Sequence, residues 1–135
     1  MADQLVCDVA IVGGGMVGSA LACALADQGV AVVLVEARLP AMQWDEAGFD
    51  LRVSALTRAS QRLLQNLGVW QSMCDDRVTA YRHMHVWDRA GFGEIHFDAA
   101  DLGEPDLGHI VENRVTQLAL WERAGQLPSV TRFCP

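Results

Sequence analysis

Residues 11–18 read IVGGGMVG, three consecutive glycines set between two apolar stretches, and nothing else in the chain restricts the fold so tightly. Before the glycines, LVCDVAIV (5–12) is β-branched and apolar with almost no alternation, which predicts a strand covered on both faces. After them, MVGSALACALADQG (16–29) predicts a helix with Val17, Leu21 and Leu25 on its buried stripe and Gly29 as its C-terminal stop. VAVVLVEA (30–37) predicts a second buried strand ending at Glu36. Strand, helix and strand in so short a span make a βαβ unit with parallel strands.

Within that unit Gly13, Gly15 and Gly18 satisfy G-x-G-x-x-G at the passage from strand to helix. The first glycine permits the tight turn, the second lets a pyrophosphate approach the backbone, and the third lets helix and strand pack closely. The helix N-terminus adds free N–H groups and the positive end of its dipole. Alone the motif is common. Glu36, 18 residues after Gly18, makes it specific, because a carboxylate there accepts hydrogen bonds from the adenosine ribose and repels a 2′-phosphate. The expectation is a dinucleotide-binding unit. FAD and NAD both carry the ADP half that such a unit holds, so the choice between them rests on other residues.

The remaining elements are easily placed. LPAMQWDEAGFD (39–50) reads as a solvated loop, and SALTRASQRLLQNLG (54–68) as a helix capped by Ser54, with Leu56, Ala59, Leu63, Leu64 and Leu67 buried. YRHMHVWD and GEIHFDA predict a β-hairpin over 81–99. HIVE, NRVTQLALWERAGQL and SVTRFC predict a strand, a helix and a strand over 109–134. Trp70, Trp87 and Trp121 follow apolar stripes and are expected in the core. The fold class is therefore α/β, a Rossmann-like domain with a parallel sheet and a hairpin insertion. Its last strand lacks a covering helix, so 1–135 is expected to be the N-terminal part of a larger cofactor domain, cut before a substrate domain.

Composition removes several classes. A net charge of −7 argues against nucleic-acid binding, which needs clustered Lys and Arg. The apolar run Leu5–Ala26 is interrupted by Asp8 and the glycines and follows a Met-Ala-Asp-Gln start with no basic residue, so it is neither a signal peptide nor a transmembrane segment. Cys7, Cys23, Cys74 and Cys134 form no C-x-x-C pair and are expected as reduced cytoplasmic thiols. His83 and His85 share a strand face, yet two ligands without a carboxylate pattern do not make a metal site, so none is expected.

Two further stretches, LRVSALTRASQRLLQNLGVW (51–70) and LGHIVENRVTQLALW (107–121), decide between the cofactors. Together with DVAIVGGGMVG and VEAR they resemble the N-terminal part of the FAD-dependent aromatic hydroxylases of ubiquinone biosynthesis, relatives of the p-hydroxybenzoate hydroxylase type of flavin monooxygenase. The resemblance extends through essentially the whole chain. It implies FAD as cofactor, NAD(P)H as transient reductant, and O₂ as the source of an oxygen placed at position C5 or C6 of a polyprenylphenol ring. It implies that Arg52 lies near the FAD phosphates and the front of the flavin, and that Asn113 or Arg114 lies over the ribityl–pyrophosphate region. The family's Asp-Gly and later Gly-Asp motifs have no counterpart here, so this chain alone is expected to be inactive and no catalytic residue is assigned. The substrate implies a cytoplasmic protein working at the inner-membrane surface or in a biosynthetic complex. Two other readings stay open: a non-catalytic NAD-binding redox module, and another FAD oxidoreductase of the same fold, such as an amine oxidase or geranylgeranyl reductase.

Overall fold

Strand Val9–Val12 (β1) runs parallel to Val32–Val35 (β2), Val9 opposite Val32 and Val12 opposite Val35, and helix Met16–Ala26 (α1) connects them. The computed structural model describes residues 5–45 and 47–135; the Met-Ala-Asp-Gln start and Glu46 of the acidic loop lie outside it. The other edge of β2 pairs in parallel with Val130–Phe133 (β8), so the sheet order is β1-β2-β8. Asp8 ties the start of the two strands, its carboxylate accepting the Ala31 N–H at 2.9 Å. Gly29 takes φ +79° and ends the turn after α1, as its position predicts.

A second, antiparallel sheet has the order β3-β7-β4, formed by Val53–Thr57 (β3), Gly108–Glu112 (β7) and Val78–Tyr81 (β4). Here the helix expected over 54–68 is corrected. Residues 53–57 pair with β7, Val53 opposite Glu112 and Thr57 opposite Gly108, and the helix is Arg58–Asn66 (α2). Leu56 fits a helical and a strand period equally well, and pairing with β7 decides between them. Thr57, not Ser54, is the N-cap; its hydroxyl accepts the Ser60 N–H at 3.2 Å. Gly68, at φ +75°, closes α2, and a short helix Trp70–Asp76 (α3), absent from the sequence reading, follows. The expected hairpin is His83–Trp87 (β5) with Glu94–Asp98 (β6), a separate two-stranded ribbon. Helix Asn113–Gln126 (α4) joins β7 to β8.

The core lies between α1, α4 and the parallel sheet. Leu34, Leu120, Met73 and Cys23 are fully buried, with Ala22, Val115, Trp121 and Ala124 around them. A leucine buried to this degree contributes about 2 kcal/mol. Several burial expectations fail. On α2, Leu64 is buried, but Ala59 and Leu63 are exposed, Leu63 facing the gap between α1 and α2 instead of the core. α1 packs through its small residues Ser19, Ala22, Cys23 and Ala26, while Val17 and Leu21 face outward. Small side chains let α1 approach α4 closely, and the bulky stripe lines an open apolar groove of about 500 Å³ with Leu56 and Leu63. β1 is covered on one face only: Ile11 is buried and Val12 exposed. Trp121 is core, but Trp70 is half-buried and Trp87 stands exposed on the ribbon.

Candidate functional site

The three parallel strands end on one edge of the sheet, and the glycine turn leaves β1 there, the place where α/β sheets bind ligands. Gly13 has φ +108°, a conformation that favours glycine, and its N–H donates to Val35 O at 2.7 Å. Gly18 is fixed by space. A β-carbon there would run into Gly13 O and lie 3.3 Å from the Ile11 side chain. Gly15 is different again. Its φ of −71° suits any residue, and a β-carbon would meet no atom within 4 Å. It is the N-cap of α1, carries no capping side chain, and leaves the helix N-terminus open.

Gly14 went unremarked in the motif, where it occupies an unspecified position. Its N–H donates to Glu36 Oε2 at 2.6 Å, and a β-carbon on it would sit 2.8 Å from the Trp121 ring and 2.9 Å from Glu36 Cβ. The sequence signal for it was the run of three glycines where the motif needs only two. The buried Ser19 hydroxyl donates to Gly14 O at 3.0 Å and fastens the turn to the first coil of α1. Glu36 also accepts the Arg38 N–H at 3.0 Å. Those backbone donors, Arg38 first and Gly14 next, hold its carboxyl below the usual glutamate range. The turn thus presents a fixed, ionised carboxylate beside open backbone.

The residues expected to act further along the cofactor come together around the start of α4. Arg52 O accepts the Asn113 N–H at 2.9 Å, and Asn113 Oδ1 accepts the Ser54 hydroxyl at 2.6 Å. Gln117, one turn after Asn113 on the same helical face, reaches Gly14 O at 3.5 Å. That face therefore runs from the Arg52–Asn113 pair to the glycine turn. Arg52 is exposed, and its guanidinium has no partner among the described residues.

Arg114 is engaged elsewhere. Its guanidinium pairs with Glu112 at 2.6 Å, donates to Gly48 O at 2.7 Å and lies over the Trp44 ring. Glu112, 4% exposed, also takes Arg77 at 2.9 Å and the Asp50 N–H at 2.8 Å. Burial pushes the Glu112 carboxyl up, but the Asp50 amide and the two arginines outweigh it and bring it below its ordinary value. Glu112 is the N-cap residue of α4, but its carboxylate ties the 48–50 loop to the helix instead of capping it. Arg114 belongs to that tie, whereas Asn113 lies on the helical face along which Gln117 reaches the turn.

Residues 6–131 match the model of a family described as FAD binding domain. The chain is 44% identical over 128 residues to the 3-demethoxyubiquinol 3-hydroxylase of Escherichia coli (strain K12), covering 95% of this chain and 32% of that protein. It is 39% identical to the ubiquinone hydroxylase UbiL of Rhodospirillum rubrum, covering 96% and 30%. The mitochondrial ubiquinone biosynthesis monooxygenase COQ6 of Homo sapiens is 36% identical, covering 84% and 25%. The chain thus spans about a third or less of these relatives. Among solved structures, p-nitrophenol 4-monooxygenase PnpA of Pseudomonas putida superimposes with a TM-score of 0.68 at 20% identity, over 93% of this chain and 31% of that one. A mutant of PqsL from Pseudomonas aeruginosa gives 0.71 at 19%, over 95% and 33%. At such identities these two speak for the fold alone.

Proposed function

The chain belongs to the FAD binding domain family, and on that premise we propose that it is the ADP-holding segment of a flavin monooxygenase that hydroxylates the ring of a polyprenylphenol in ubiquinone biosynthesis, at C5 or C6. The aromatic hydroxylases among its relatives support the reaction class. NAD(P)H is the reductant and O₂ the oxygen source in this reading, and the substrate's lipid character brings the enzyme to a membrane surface. No helix among the described residues is long and apolar enough to cross a membrane.

The residues fit the cofactor. Gly15 and the open N-terminus of α1 receive the pyrophosphate, and Glu36 receives the adenosine ribose hydroxyls. Arg52 and Asn113 face the cofactor beyond the pyrophosphate, with Arg52 supplying the cation. Arg114 holds the 48–50 loop in place. When bound, the flavin supplies the redox chemistry; these residues bind and orient it.

The observation that carries the reading is Gly15, a glycine that neither dihedral angle nor internal packing demands. Gly15→Ala should lose no more than about 1 kcal/mol of stability, the cost of alanine at an N-cap, yet bind FAD at least tenfold more weakly, because its methyl group occupies the phosphate's approach. Fluorescence titration with FAD, and with NAD in parallel, measures this. Unchanged FAD affinity in the variant removes the assignment, and tighter binding of NAD than FAD by the wild type would favour a nicotinamide-binding module instead.

A further inference from the structure

The ribbon β5–β6 places His83, His85 and Trp87 on the same face as Glu94, His96 and Asp98, and the register sets His85 directly opposite His96. Along the sequence only His83 and His85 lie close enough to suggest a shared face. Pairing brings a third histidine and a carboxylate from β6, so the objection that the ligand set is incomplete no longer holds. His85 Nε2 lies 3.2 Å from Glu94 Oε2, and His96 Nε2 lies 3.8 Å from the same oxygen. One ligand atom from each of the three side chains falls within 4.8 Å of the others. Ligands at about 2.0–2.2 Å from a tetrahedral zinc are separated by similar distances.

We infer that His85, Glu94 and His96 form a surface site for a divalent transition-metal ion of the zinc type, with water completing the coordination. Two imidazoles and one carboxylate suit zinc better than calcium or magnesium, which prefer all-oxygen shells. The rings of His85 and His96 are stacked, centroids 3.8 Å apart and planes inclined by 17°. Both side chains are exposed, and an ion would require the two rings to turn out of their stack. His83 Nδ1 lies 3.4 Å from Asp98 Oδ2 at the far end of the same face. An isolated two-stranded hairpin is marginal in water, and an ion bridging its strands would clip the ribbon together.

Calorimetric titration of the protein with zinc chloride tests the site. The wild type and Cys74→Ser, which removes an exposed thiol, should each show one saturable site per chain. His85→Asn and His96→Asn should lose it while keeping the wild-type far-ultraviolet circular dichroism, and Glu94→Gln should weaken it. Absence of a saturable site in the wild type, or binding unchanged in both histidine variants, overturns the inference. Loss of the site in Cys74→Ser does so too, by assigning the zinc to a thiol.

Discussion

Three glycines of one turn are glycines for three reasons, and substitution separates them. Gly18→Ala puts a β-carbon into the carbonyl of Gly13, so the helix must move off the strand. We expect a loss of about 2 kcal/mol or more in urea unfolding, with FAD binding falling alongside. Gly15→Ala, by contrast, should cost no more than about 1 kcal/mol, the N-cap preference for glycine over alanine. The motif spacing made Gly13, Gly15, Gly18 and Glu36 legible from the sequence. It did not disclose that Gly14 delivers an N–H to Glu36, because that contact is 22 residues distant and depends on how strand and turn meet. Val17 misled for a related reason. Hydrophobicity marked it as core, yet close helix packing favoured the small residues on the opposite face of α1.

At the level of elements, what sequence conveys best is what is local. The βαβ unit, the ribbon and α4 stand close to where periodicity put them, whereas the start of α2 was set by pairing with β7, some fifty residues later. The Glu112 tie likewise joins three segments that no local pattern connects, the 48–50 loop, Arg77 and residues 112–114. Its loss should be costly: Glu112→Gln takes a buried carboxylate away from Arg114 and Arg77 and should destabilise the fold by about 3 kcal/mol at neutral pH. The sign with pH follows from the depressed carboxyl. Its contribution is present above the ordinary glutamate value and is lost as pH falls through the lower, folded-state value. The stability gap between variant and wild type should therefore narrow in acid, as urea titrations across that range would show.

Across the whole molecule, α1 and α2 leave between them the apolar groove lined by Val17, Leu21 and Leu63, with Val17 83% and Leu63 49% exposed. Contiguous apolar surface of this kind takes up small hydrophobic ligands. An anilinonaphthalene dye should brighten on this chain, and Leu63→Gln should diminish the signal while changing stability by no more than about 0.5 kcal/mol. A dye response unaltered by that substitution would place the binding elsewhere. The strand order has a consequence in time. β1, the glycine turn and β2 are complete by Val35, but the third strand of their sheet begins only at Val130. A ribosome therefore delivers the phosphate-binding turn early and the strand that closes over β2 nearly a hundred residues later, several seconds at ordinary synthesis rates of about 5–20 residues per second. For that interval β2 has one edge without its native partner, which leaves that edge open to mispairing while residues between Val35 and Val130 are being made.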